Sequence, residues 1–265
     1  MVEDFDAIVL AGDRGPDDPL ARHAGVAGKA LVPVAGTPML TRVLAVLAGW
    51  PRLRRLVLVA PDLPAYREAA AGVADSRRLI WLEPCASLSA SVRAALASTA
   101  GAQRLVLTAD HALLDRAWLD RMAEAGEPGD GFAMSIGLTD WHGVMRRFPG
   151  SRRTRYRFSD RSVCGTNLFA IHDDSVEALL EVWQRVERER KKPWKILSLL
   201  GWGNLGRYLA GRLDLDAAFA ALSVRVGVGV RPLLLADPLT AVDVDSPADL
   251  ALVESVVARM DQQTC

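Results

Sequence analysis

The chain has 265 residues, about half of them apolar, which supplies a packed core for one large domain or two small ones and excludes a disordered chain. Basic and acidic side chains both total 32, so nothing in the bulk charge calls for nucleic acid or a membrane surface as partner. The three cysteines, Cys85, Cys164 and Cys265, are widely spaced and form no C-x-x-C pair, which excludes a disulfide framework and a zinc knuckle.

Ala7 to Ala11 is a short apolar run ending at Gly12, and after a loop Leu40, Val43, Leu44 and Leu47 recur at helical spacing. Leu56 to Ala60 reads as a strand, Pro64 to Val73 as a short helix and Leu79 to Leu82 as another strand. Ser89 to Thr99 places Val92, Ala95, Leu96 and Thr99 on one helical face, with Ser87 or Ser89 in position to cap it. Leu105 to Thr108 is the next strand, and Trp118, Leu119 and Met122 mark the helix beyond it. Apolar strands without alternation, separated by amphipathic helices, predict an α/β fold with a mostly parallel, Rossmann-like sheet covered on both faces.

Phe132 to Gly137 and Val163 to Ile171 also read as strands, but Asp140 to Arg161 between them is polar and rich in arginine. There Arg153, Arg155 and Arg157 alternate with Thr154, Tyr156 and Phe158, the two-residue period of a hairpin arm. From Ser175 to about Arg225 the period is helical, so an insert is expected, with Trp183, Trp194 and Trp202 as its core or interface anchors. A strand at Pro232 to Leu235 and a helix from Pro247 to about Met260 return the chain to the sheet. No run approaches the roughly 18 to 20 apolar residues that cross a bilayer. The acidic start, Met1 to Phe5, lacks the basic opening of an export signal, so a soluble protein with reduced thiols in a cytoplasm is expected.

Three clusters could carry chemistry. The first strand delivers Leu10, Ala11 and Gly12 to a loop that carries Asp13 and Arg14 and closes at Gly28-Lys29. Open α/β sheets bind ligands at such a strand end; its N–H groups suit phosphate oxygens, and Arg14 and Lys29 add positive charge. The pattern is neither G-x-G-x-x-G nor a P-loop, since only Gly12 stands at the turn and Gly28-Lys29 is followed by Ala30. Next, the strand Leu105 to Thr108 runs into Asp110, whose carboxylate can hold Mg²⁺, a hard cation that otherwise rests on substrate phosphates; helix capping is the competing role. Last, Asp243 and Asp245 are two apart in an extended segment before Pro247, on one side of the chain, where either could share a cation with Asp110. Asp249 reads as part of a helix start.

The basic residues of the arm, Arg153 and Arg155 among them, with Arg188, Arg190, Lys191, Lys192 and Lys195, suit an anionic acceptor through guanidinium forks, or else form a solvated face. The histidines show no metal-ligand spacing, and His111, beside Asp110, is expected to line the site.

Leu10-Ala11-Gly12-x-Arg14, the run Lys29-Ala30-Leu31-Val32-Pro33-Val34-Ala35-Gly36-Thr37-Pro38-Met39-Leu40, then Thr108-Ala109-Asp110 and Asp243-Val244-Asp245-Ser246-Pro247-Ala248-Asp249-Leu250 together resemble the MobA-like NTP transferases. These are nucleotidyltransferases with a glycosyltransferase-A type fold. The resemblance implies one three-layer α/β domain over residues 1–265, with a small antiparallel part, the arm at about 140–161 and the helical insert at about 175–225. It implies an enzyme that uses Mg²⁺ to transfer a nucleoside monophosphate from an NTP to a small phosphorylated acceptor, a sugar, alcohol or cofactor phosphate, with release of pyrophosphate. The Leu10 to Arg14 turn would cradle the NTP, Lys29 would meet its phosphates, and Asp110 would be the principal metal ligand with Asp245, or else Asp243, as the second.

Ser87-Leu88-Ser89-Ala90-Ser91 resembles the family's Gly-x-Ser-x-Ser segment, which makes Ser89 and Ser91 substrate contacts, and Cys164-Gly165-Thr166-Asn167 resembles the strand facing the acceptor, which makes Asn167 another. Asp13 stands where the family has a second glycine, and Asp110-His111-Ala112-Leu113 where it has Asp-x-Pro-Leu. The insert is longer than the family core requires and is expected to form an acceptor lid, a homodimer surface or both. Two other readings are a glycosyltransferase of the same fold, for which Asp110-His111-Ala112 lacks the second Asp of Asp-x-Asp, and a catalytically silent nucleotide-binding or scaffold protein.

Overall fold

The computed structural model describes residues 5–12, 17–72, 79–99, 103–126, 129–189 and 201–264. Asp13 and Arg14 of the first loop, and Arg190, Lys191, Lys192, Trp194 and Lys195 of the insert, lie outside the described residues.

The first half follows the predicted alternation. Strand β1 (Phe5–Leu10) leads through the short helix α1 (Pro19–Ala24) and a small hairpin of β2 (Pro33–Val34) and β3 (Thr37–Pro38) to α2 (Met39–Ala48). Then come β4 (Leu53–Val59), α3 (Pro64–Ala71), β5 (Leu79–Leu82), α4 (Leu88–Ala97), β6 (Gln103–Thr108) and α5 (Arg116–Ala123). In β1 every residue is buried, because its side chains serve both faces of the sheet. Phe5, Ala7 and Val9 pack with α2, α3 and α5, while Ile8 and Leu10 pack with Val92, Ala95 and Leu96 of α4. Burying each such aliphatic side chain stabilises the fold by about 1.5 to 3 kcal/mol relative to exposure.

The second half completes an eight-stranded sheet in the order β10-β7-β9-β6-β1-β4-β5, with β8 beside β9. Strands β7 (Met134–Asp140) and β10 (Val230–Leu235) are parallel to each other, and β9 (Ser162–Ile171) runs antiparallel between β6 and β7. Every parallel strand therefore ends on the same edge, where the loops after β1, β4, β5, β6, β7 and β10 gather.

The arginine-rich stretch is only partly the hairpin expected. The seven residues after Asp140 form helix α6 (Trp141–Arg147), capped by the Asp140 side chain, which accepts from the N–H groups of His142 and Gly143. Only Val144 of that helix is buried, so it lacks the apolar period that would announce it. A two-residue strand, β8 (Tyr156–Arg157), does pair with β9. The insert is helical where described: α7 (Glu177–Glu189), α8 (Trp202–Leu209) and α9 (Leu215–Val226), followed after β10 by the last helix α10 (Pro247–Thr264). Trp183 packs on Phe169 of β9 with ring centroids 4.8 Å apart, whereas Trp202 is 78% exposed and is not a core residue. Among the described residues no helix is long and apolar enough to cross a membrane.

Candidate active site

A cleft of about 840 Å³ opens on the edge where the parallel strands end. It is lined by Leu10, Ala11 and Gly12 after β1, by Pro84 to Leu88 after β5, and by Thr108, Ala109 and Asp110 at the end of β6. Gly12 is required by packing: a Cβ there would stand 3.0 Å from Pro84 Cβ, so any side chain would close the gap between the two loops. Ser87 caps α4 by accepting from Ala90 N–H at 3.2 Å, and Ser91 Oγ accepts from the Cys85 N–H at 2.9 Å, which fixes the loop after β5. Of the two serines expected to meet substrate, Ser91 lines the cleft; Ser89 is 2% exposed and shares a 3.1 Å hydrogen bond with Ser87. Cys85 and Ser87, which line the cleft beside Ser91, were not expected as site residues. Ser87 was legible as a cap and as the first residue of the Ser87-Leu88-Ser89-Ala90-Ser91 segment, where the family has glycine.

Lys29 enters from a short 3₁₀ turn, Lys29–Leu31, whose Ala30 and Leu31 are buried and anchor it. Its Nζ donates to Asp110 Oδ2 at 2.6 Å and also to Asp245 Oδ1. Backbone pairing brings the two acids together: Ala109 N–H donates to Leu10 O at 3.0 Å, and Val244 N–H donates to Asp110 O at 3.2 Å. Thr108 Oγ1 donates to Asp110 Oδ1 at 2.5 Å and orients the carboxylate, a role the Thr-Ala-Asp spacing did not disclose. Burial of Asp110 works against its charge, but the field and hydrogen bond of Lys29 prevail and hold the carboxyl below the usual range. For Lys29 burial is again opposed, first by the charge of Asp110 and then by that of Asp245, and its pKa stands above the ordinary lysine value.

Three expectations change. Asp243 is not held with Asp110 and Asp245: its carboxylate accepts from Arg153 and from Asn167 Nδ2, the latter at 2.8 Å. Among the described residues no group of three or more acidic, histidine or cysteine side chains converges to hold a metal. Arg153 was expected to face the acceptor; its guanidinium instead pairs with Asp243 and, at 3.0 Å, with Asp249, and its side chain is 9% exposed, so its fork is used inside the protein. His111 does not line the cleft. It is fully buried, with Nε2–H donating to Thr166 O at 2.6 Å, and burial pushes its pKa down.

The remaining expected residues are placed as follows. Arg155 reaches Ser162 Oγ at 3.0 Å and lies over the Trp141 ring, 4.5 Å from its centroid. Asn167 has φ 53°, in the left-handed region that asparagine tolerates, where the β7–β9 register slips between Ile136 and Leu138. That bulge turns its amide toward Asp243. Asp249 serves the last helix: its N–H donates to Ser246 Oγ at 3.3 Å, and Ser246 Oγ donates to its Oδ2 at 2.6 Å.

Residues 7–186 match the family described as MobA-like NTP transferase domain. A transferase from Thermus thermophilus, described as hypothetical, is 30% identical with a TM-score of 0.75, the match covering 93% of this chain and 99% of that one. CMP:2-keto-3-deoxy-manno-octonic acid synthetase, solved with CTP, shares the fold at 13% identity and a TM-score of 0.61, over 97% of this chain and 99% of that one. So does 4-diphosphocytidyl-2C-methyl-D-erythritol synthase from Anaerococcus prevotii, at 11% identity and a TM-score of 0.59, over 97% of each chain. Comparison with curated proteins gave no match.

Proposed function

The chain belongs to the MobA-like NTP transferase family and is a nucleotidyltransferase, and on that premise we propose that it moves a nucleoside monophosphate from an NTP onto a small phosphorylated acceptor, using Mg²⁺ held by Asp110 and Asp245. One observation carries this reading: two carboxylates far apart in the sequence, Asp110 and Asp245, accept from a single ammonium, and all three groups line the cleft. A position where one positive centre already sits between two hard oxygen donors fits Mg²⁺, which takes carboxylate oxygens and completes its shell with water and phosphate. When bound, the ion supplies charge neutralisation at the NTP phosphates.

The protein's own groups do the rest. Gly12 and its neighbours let the triphosphate approach the backbone, and Lys29 Nζ serves phosphate oxygens. Arg14 and Asp13, assigned from the sequence pattern alone, would belong to the same phosphate-binding loop, with Arg14 as a second positive group. Arg155, an exposed arginine of the arm, meets the acceptor, and Asn167 faces it from β9. An acceptor phosphate oxygen attacks the α-phosphorus; that P–O bond forms as the bond to the bridging oxygen of the β-phosphate breaks, and pyrophosphate leaves with the electron pair. A phosphate monoester, with a second pKa of about 6, is already anionic near neutral pH and needs no strong base. Catalysis is then positioning and electrostatics.

The test is pyrophosphate release over the four common NTPs crossed with a panel of phosphomonoesters, with Mg²⁺ and with chelator. Asp110→Asn is expected to lower kcat by roughly 100-fold or more, the loss typical when a group that stabilises transition-state charge is removed. Near-wild-type release by that variant, or nucleoside diphosphate released from a sugar nucleotide instead, would overturn the assignment.

A further inference from the structure

A second cavity, of about 450 Å³, lies between β7 and β9 beneath and helices α7 and α9 above. Its floor is Ile136 and Leu138 of β7 with Val163, Gly165 and Asn167 of β9; its roof includes Val182, Trp183, Phe219 and Leu222. Among the described residues no Asp, Glu, Lys, Arg or His lines it. Gly165 sits opposite Leu138 in the ladder, so its missing side chain leaves a gap in the floor between Val163 and Asn167, and a Cβ there would meet nothing within 4 Å.

Asn167 joins the two sites. It lines the apolar cavity while its Nδ2 donates to Asp243 at 2.8 Å, two residues before Asp245, which shares Lys29 with Asp110. Size and lining are those of a small-molecule pocket, mostly apolar with a few polar groups at one end. We infer that this cavity seats an apolar body of the acceptor, so that the substrate class is an alkyl or aryl phosphate whose phosphate end reaches past Asn167 toward Asp110 and Asp245. The inference rests on the phosphorylated acceptor proposed above and narrows it. A sugar or polyol placed here would bring several hydroxyls against Ile136, Leu138, Phe169 and Trp183, where they lose water and find few partners.

The experiment uses the full-length protein and four probes: hexyl phosphate and phenyl phosphate against glucose 1-phosphate and glycerol 3-phosphate. Calorimetric binding of each is measured alongside pyrophosphate release with Mg²⁺ and NTP. The apolar probes are expected to bind at least tenfold more tightly, and Gly165→Leu, whose Cβ would meet nothing within 4 Å, is expected to weaken them at least tenfold while NTP affinity stays within twofold. Leu222→Gln in the cavity roof provides a second variant should Gly165→Leu not fold; it is expected to weaken the apolar probes in the same direction. Turnover confined to glucose 1-phosphate or glycerol 3-phosphate, or apolar-probe binding indifferent to both variants, overturns the cavity's role and leaves nucleotidyl transfer standing. Tight, variant-sensitive binding of the apolar probes without pyrophosphate release from any phosphomonoester upholds the cavity as an apolar ligand site but removes the phosphorylated acceptor.

Discussion

Burial by itself would favour a neutral Lys29 and a protonated Asp110; together, with Asp245, each keeps the other charged. This mutual dependence is why the site is assembled from far along the chain: an isolated charge in the same place would simply neutralise. The thiol of Cys164 shows the opposite outcome, because there burial outweighs the opposing charge of Arg153. Burial pushes the Cys164 thiol up to about 11, so at pH 8 only on the order of one molecule in a thousand carries the reactive thiolate there. Cys85 is exposed and lines the nucleotide cleft. Iodoacetamide at pH 8 is therefore expected to modify Cys85 well before Cys164 in the native protein, and saturating NTP to protect Cys85, as read by peptide mass spectrometry. Equal labelling of both thiols, or no protection by any NTP, would place the cleft wrongly.

At the level of elements, the segment from Asp243 to Asp249 ties the site together. It donates to Asp110 O through Val244 and presents Asp245 to Lys29. It then enters the last helix through the Ser246–Asp249 cap, and the arm clamps it through Arg153, which holds the Asp243 side chain, the Asp243 carbonyl at 2.8 Å and Asp249. Arg153, Asp243 and Asp249 have side chains 9, 14 and 15% exposed, so removing the arginine strands two poorly hydrated carboxylates. Arg153→Leu is expected to cost about 3 to 5 kcal/mol in chemical denaturation. Ser246→Ala, which loses only a cap, is expected to cost about 1 kcal/mol. An Arg153→Leu penalty no larger than that of Ser246→Ala would show that the arm does not clamp the segment.

Across the whole molecule, the cleft draws on loops from β1, β5 and β6, on the Lys29 turn and on the segment before the last helix, so ligand binding should stiffen the fold globally. A ligand present at 100 times its Kd adds about 2.7 kcal/mol to stability when it binds only the folded state. Thermal unfolding with the preferred NTP is thus expected to shift upward by several degrees in Mg²⁺, to lose most of that shift in chelator, and to lose its metal dependence in Asp110→Asn. An NTP-induced shift indifferent to Mg²⁺ would point to nucleotide binding without the proposed metal.

Periodicity announced most of the α/β frame, because whether a segment buries one stripe, two faces or none is written in neighbouring residues: Ile8, Val57 and Val106 could only be central strands, and the face of Val92, Ala95 and Leu96 only a packed helix. Helix α6 escaped that reading because it buries a single side chain, Val144. The motifs likewise marked Gly12, Lys29, Asp110 and Asp245 one by one. Which charge meets which was decided only by the tertiary structure. Lys29 finds Asp110 and Asp245 across 81 and 216 residues, and Arg153 pairs across 90 residues with Asp243 instead of facing outward. An unpaired charge in a partly dry site is costly, so each guanidinium or ammonium takes the carboxylate that the sheet order sets beside it, and sheet order is a property of the packed chain that no local pattern carries.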